Sequence, residues 1–240
     1  MEELKSEHYV FHVCSGSYAL EHIQDIISLQ ESGYDIITET LGVVLPYPIH
    51  YHLFDTAEDV GKACNDEPCN GIALYRNESE DQLPHIYAVY NERVQCIGPH
   101  EDAHIVSFEY AYPKSVFLRE GLAMFFDRQW WGIENTTWAL FDLENNSLPS
   151  LVKVLTDDMF HALDCSLTYP MAGAFAQFLV NVCGKEKWLD FYKRCEGNIE
   201  EACVSVFGMD VQKLEQQFHQ YLLIGSVGKE LKDLMRQMRA

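Results

Sequence analysis

"GPHEDAH", Gly98 to His104, holds a histidine, a glutamate, two further residues and a second histidine. On a helix, His100 and His104 stand at i and i+4 and present two imidazole nitrogens on one face, about a turn apart, where they can share one metal ion. Glu101 then flanks that face, close to a water on the ion without displacing it, which is where a general base must sit. Pro99 stands directly before the first histidine. Proline suits the first position of a helix, so the spacing predicts a helix that begins at or near His100, with unsatisfied backbone amides beside the metal pair. The positive end of the helix dipole opposes a cation there by roughly a kcal/mol or less. Structural zinc in peptides gains about 10 kcal/mol or more, so the proline is expected to loosen such a site without abolishing it.

Two histidines alone hold zinc poorly, and a hydrolytic site needs a third protein ligand and one open position. Glu120, in "LREGLAMFF", is the candidate. The 15 residues between His104 and Glu120 allow about two turns, a bend at Pro113 and entry into a second helix. Gly121 removes a side chain beside that ligand, which is expected to let the His and Glu helices approach closely. Asp102 is expected to add negative charge near the metal or to stabilise the helix start.

Upstream of the motif the pattern is α/β. "HYVFHVC" (8–14) reads as a strand, and Tyr18 to Leu41 as a long helix with apolar Leu20, Ile23, Ile26, Ile27 and Leu29, backing a sheet. "IHYHLF" (49–54) is a second strand, followed by a short helix capped by Asp55 or Thr56. "NGIALYR" (70–76) and "HIYAVY" (85–90) are two more strands joined by an acidic loop. From His100 onward the pattern is almost wholly helical. "SVFLREGLAMFFDRQWW" precedes a loop region with Asn135, Asn145, Asn146 and Pro149, then helices near 149–160, 170–182, 185–195, 198–206 and 210–235. The fold class is therefore α+β, with an N-terminal α/β lobe at 1–98 carrying a mixed sheet and a backing helix. An all-helical lobe at 99–240 follows, and the motif lies at the junction, a favoured place for an active-site cleft.

Composition narrows the function. With 48% hydrophobic residues the 240-residue chain can bury a sizeable core, and its net charge of −20 with only 17 Lys and Arg excludes a nucleic-acid surface. The most apolar stretch, Leu167 to Val182, is interrupted by Pro170, Gln177 and Asn181, short of the roughly 18 residues a membrane span needs. "MEELKSEHYV" lacks the basic-then-apolar layout of a secretory signal, so the chain reads as cytoplasmic. Its eight cysteines, without a Cys-x-x-Cys pair, then read as mostly buried thiols. Export would instead permit disulfides, with Cys64 and Cys69 as one pair, and would give meaning to the sequons at Asn77, Asn135 and Asn145. His50 and His52 share a strand face and read as packing or surface residues rather than a second metal site. Trp130 and Trp131 read as packing at a helix end, with a substrate pocket as the alternative.

"HEDAH" followed by "FLREGLAMFF" resembles the gluzincin metallopeptidases, specifically the small peptidase-MA-like domains with an HExxH helix and a Glu-Gly-Leu-Ala helix. "LPSLVKVL", "LTYPMAGAFAQFLVNVCGKEKWLDFYKR" and "VFGMDVQKLEQQFHQYL" are similar, in order, to later segments of that family, and the resemblance covers about residues 8 to 222. It implies a zincin-like fold with the active-site cleft between its lobes, and one Zn2+ per chain on His100, His104 and Glu120. It further implies Glu101 as the base that activates water against a peptide bond. Tyr169, in "TYPMAGAF", matches the tyrosine that hydrogen-bonds the oxyanion. Gly71, Ile72 and Ala73 resemble the edge strand that pairs with an extended peptide or protein substrate. The alternative functions are a peptidase-like module that binds peptides without cutting them, and a helical protein with a purely structural role.

Overall fold

The computed structural model describes residues 1–155 and 157–239. By backbone contacts the chain divides into two units, Met1–Tyr110 and Ala111–Ala240. The helix that begins with the quoted motif belongs to the first unit, whereas the sequence pattern grouped it with the helical part. The reason is packing: this helix lies against the long backing helix and the edge strand of the sheet.

The first unit is built on a mixed sheet of β1 (Glu2–Lys5), β2 (Tyr9–Val13), β3 (Ile49–Phe54), β4 (Gly71–Leu74) and β5 (His85–Val89), in the order β1-β2-β3-β5-β4. The three central strands are parallel, and β1 and β4 run antiparallel at the two edges. Alternation along each strand sorts the side chains. Tyr9, Phe11, Val13, Ile49, Tyr51, Leu53, Ile86 and Ala88 form one face and are at most 1% exposed. His12, His50, His52, His85 and Tyr87 point to the other and are half-buried. The expected helix from Tyr18 is interrupted at His22 into α1 (Tyr18–Glu21) and α2 (Ile23–Leu41), and α2 ends at Gly42 in the left-handed region. The short helix α3 (Ala57–Cys64) is capped by Thr56, whose hydroxyl accepts from the Asp59 amide. Pro99 opens α4 (Pro99–Tyr110), so His100 and His104 occupy its first turns.

In the second unit α5 (Val116–Asp127) ends at Arg128 in the left-handed region and leads into a hairpin of β6 (Gln129–Trp130) and β7 (Ile133–Glu134). α6 (Asn135–Glu144) follows where the asparagines suggested a loop, because its middle turn, Trp138, Ala139, Leu140 and Phe141, is buried almost all round. The helix expected near 149–160 is two short pieces, α7 (Leu151–Val154) and α8 (Asp157–Ala162), and Thr156 lies outside the described residues. α9 (Cys165–Phe178) starts earlier than Pro170 and carries that proline inside it before a π-helical turn at Leu179–Cys183. α10 (Lys185–Arg194) and α11 (Ile199–Phe207) match expectation, and the last expected helix is two, α12 (Val211–Leu222) and α13 (Lys229–Met238), separated by a segment containing Gly225 and Gly228.

A proline at 170 removes the amide that would bond to the Ser166 carbonyl. The Arg239 guanidinium replaces it, donating to the Ser166 oxygen at 2.5 Å while also engaging Asp142. This long-range donor keeps α9 continuous through the proline.

Cys195 and Cys203 are buried, Cys165 is exposed and the other five thiols are half-buried, so burial is less general than composition suggested. Cys64 and Cys69 are separate thiols. No helix among the described residues is long and apolar enough to cross a membrane.

Candidate active site

The start of α4 is held by one buried side chain from α2. The Gln30 carboxamide oxygen accepts the Gly98 amide at 2.8 Å, and its nitrogen donates to the Gly98 carbonyl at 3.3 Å and to Asp102 Oδ2 at 2.6 Å. Beside it, Gly33 of α2 faces the Pro99 ring, whose Cβ would lie at ordinary contact distance, 3.6 Å, from a β-carbon there. Gln30 thus ties Gly98, the residue before Pro99, and the Asp102 side chain to α2.

Asp102 is fully buried against Gln30. Burial pushes its carboxyl well above the usual carboxylate range, against the opposing pull of the Tyr9 hydroxyl. Its role at the helix start, the second of the two expected for it, is the one the hydrogen bonds display.

On α4 the His100 and His104 rings lie 5.0 Å apart, edge to face, with His104 at 8% exposure. Glu120 lies on α5. His100, His104 and Glu120 each offer one ligand atom, and these three atoms all lie within 4.8 Å of one another. Two imidazoles and a carboxylate are the donor set of a hydrolytic zinc site, so the residues fit that ion.

Glu101 turns toward the edge of the sheet. A Cβ built on Gly71, the first residue of β4, would stand 3.1 Å from Glu101 Oε1 and 2.8 Å from the Cys96 sulfur. The carboxylate therefore rests against the backbone of this strand, and a β-carbon at this position would fit only if the Cys96 and Glu101 side chains turned aside. β4, which holds Gly71, Ile72 and Ala73, pairs with β5 on one side and forms the sheet edge, the place that the family resemblance implied for these residues. The register places Gly71 and Ala73 opposite Ala88 and Ile86 on the α4 side, and Ile72 opposite Tyr87 on the other.

Gly121 does allow a close helix approach, but the partner is α9: its Cβ would meet the Ala172 carbonyl oxygen at 2.9 Å. Gly173 extends the same approach, since a Cβ there would meet Met124 Cβ at 2.8 Å. The Glu120 helix and the Tyr169 helix are thus locked together one turn from Tyr169. That ring is half-buried, stacked on Trp130 at 5.4 Å and tilted against Phe160 at 5.4 Å. Trp130 packs as expected, while Trp131, 48% exposed with a φ of 52°, stands out on the hairpin turn.

Gln30 escaped the sequence reading. Its signal was a polar residue on the buried stripe of α2, in phase with Ile23, Ile26, Tyr34 and Ile37. No protein-family model matches the chain, and no curated protein matches it in sequence.

Proposed function

We propose that the chain is a zinc-dependent metallopeptidase of gluzincin type, with a zincin-like fold and a cytoplasmic location. The observation that carries this reading is the Glu101 carboxylate, which follows the first histidine of the pair and rests on the edge strand. A peptide added to β4 by backbone pairing would run past that carboxylate. His100, His104 and Glu120 would hold the ion. When bound, zinc supplies Lewis-acid polarisation of a carbonyl and lowers the pKa of water at the site.

The chain's own groups do the rest. Glu101 accepts a proton from the attacking water and returns it to the leaving amine. Tyr169 donates a hydrogen bond to the developing oxyanion as a neutral phenol. Gly71, Ile72 and Ala73 align the substrate through main-chain groups, so subsite preference comes from side chains beyond this strand.

The test is cleavage of a diverse peptide library by the wild type and by Glu101→Gln, with metal content measured for both. The expected result is about one zinc per chain in each, with cleavage lost in the variant. Full activity of the variant overturns the role of Glu101. A wild type that retains peptides with zinc bound and never cuts them is a binding module. A chain that holds no metal and gains no thermal stability from added zinc overturns the metal reading.

A further inference from the structure

The face of the sheet opposite α2 and α4 carries a histidine patch that no step above uses. His12 on β2, His50 and His52 on β3 and His85 on β5 are brought side by side by the parallel register, which pairs His12 with His52 and His50 with His85. Ring centroids around the patch are 5.2 Å for His12 and His50, 5.0 Å for His50 and His85, 5.3 Å for His85 and His52, and 4.4 Å for His52 and His12. Two pairs share a ring hydrogen bond, His12 Nε2 with His50 Nδ1 at 3.0 Å and His52 Nε2 with His85 Nδ1 at 3.0 Å. His85 Nε2 is tied to Asp81, at 3.0 and 3.2 Å from its two oxygens, which fixes that ring.

We propose that His12 Nε2 and His50 Nδ1 form a binding site for a divalent ion of square or octahedral preference such as Ni2+ or Cu2+, with Glu3 available as a further ligand once its side chain turns away from Lys5. Two nitrogens at about 2.1 Å from an ion and about 90° apart are separated by roughly 3.0 Å, so the observed spacing is that of neighbouring ligands on one ion. Binding needs no net loss of a proton. The proton shared by the two rings moves to the other nitrogen of its imidazole, and the ion takes its place.

Two features favour this over a patch that only packs. The His12 and His50 rings are half-exposed, which leaves them open to an ion from solvent. Glu3 stands directly opposite His12 in the β1 ladder, is exposed, and bears on His12 electrostatically. Its carboxylate pairs with Lys5 at 3.3 Å, and rotation of this exposed side chain would bring it toward its cross-strand neighbour His12. This site is separate from that of His100 and His104 and does not rest on the peptidase reading.

The experiment titrates Ni2+ into the chelator-treated full chain by calorimetry, comparing the wild type, His12→Gln/His50→Gln and His100→Ala/His104→Ala at pH 7.5. Far-ultraviolet dichroism and melting confirm that each variant is folded. The expected result is that the first variant loses one binding equivalent, or binds it at least tenfold more weakly, and that the second keeps that equivalent. Cu2+ bound to the wild type is expected to show nitrogen hyperfine structure that the first variant lacks. Equal stoichiometry and affinity in the wild type and His12→Gln/His50→Gln overturn the proposal and leave a hydrogen-bonded imidazole patch. Failure of the peptidase reading shows differently, as a wild type whose Ni2+ equivalents are all unaffected by His100→Ala/His104→Ala.

Discussion

The Gln30 carboxamide nitrogen lies 2.6 Å from Asp102 Oδ2, and both side chains are fully buried. Their separation in sequence is 72 residues, yet together they fix where α4 begins. With the Gly98 amide also bound to Gln30, the carboxamide satisfies a donor and two acceptors at a helix start where proline supplies no amide. The residues flanking His100 are thereby tied to α2, Gly98 through its amide and Asp102 through its carboxyl group.

Gln30→Ala is expected to cost about 2 to 4 kcal/mol, because it leaves fully buried Asp102 and the half-buried Gly98 amide without this partner. Denaturant unfolding measures the loss. Zinc affinity should weaken more than in a surface helix variant of equal stability, since the start of α4 is released. An unchanged midpoint would remove Gln30 from this role.

The parts of the fold legible in sequence were those set by local pattern. The strands at Tyr9–Val13 and Ile49–Phe54, the cap at Thr56 and the helix opened by Pro99 all follow from alternation, capping or proline chemistry within a few residues. What was not legible depends on distant partners. Glu2–Lys5 has no strand pattern and pairs because β2 offers an edge. α6 is held by the burial of Trp138 against its surroundings, and α9 runs through Pro170 because Arg239 reaches the freed carbonyl. The candidate site divides the same way. His100, Glu101, His104 and the Glu-Gly pair are readable as spacing, whereas Gln30 and the meeting of His12 with His50 exist only once helices and strands are in register.

Gly71→Ala tests the strand beneath Glu101, the general base of the proposed function. The new methyl would sit 2.8 Å from the Cys96 sulfur and 3.1 Å from Glu101 Oε1. Both are ends of side chains that can turn aside, so the fold should survive with a loss of about 1 kcal/mol or less. The displaced carboxylate should lower kcat/KM on the order of a hundredfold, as misplacement by about an ångström does. Zinc content is expected to stay the same. A variant that cuts as well as the wild type would show that Glu101 does not act from the position seen against β4.

Arg239→Ala addresses the second unit. Arg239 engages both oxygens of fully buried Asp142, donates to the Ser166 carbonyl, and lies 4.4 Å over the Trp138 ring. Removing it strands a buried carboxylate and reopens the gap left by Pro170, with an expected loss of about 3 to 5 kcal/mol. Arg239→Lys keeps the charge but lacks the planar fork, and should fall between the two. Chemical denaturation of the three proteins orders them, and equal stabilities would show that Asp142 is satisfied by Ser147 alone, whose hydroxyl lies 2.9 Å away.

The histidine patch sets an acid limit on stability. His52 is pushed down to about 3, first by burial and then by the neighbouring charges of His12, His85 and His50. Around it stand Glu3 from β1, His12 from β2, His50 from β3, His85 and Tyr87 from β5, Asp81 from the preceding loop, and Cys64 from α3, which acts on Tyr87. Above pH 6.5 His52 is neutral folded or unfolded, and it contributes nothing to the pH dependence. Between 6.5 and about 3 the unfolded chain binds a proton that the folded chain refuses, so stability falls as the pH falls, by at most about 1.4 kcal/mol per pH unit. Asp81, held down to about 2 chiefly by its bond to His85, adds a loss in the same direction only below the usual carboxylate range. Denaturation at pH 8, 6 and 5 is therefore expected to show a decline in the wild type that His52→Gln reduces. Parallel declines in the two proteins would assign the acid sensitivity to groups outside the patch.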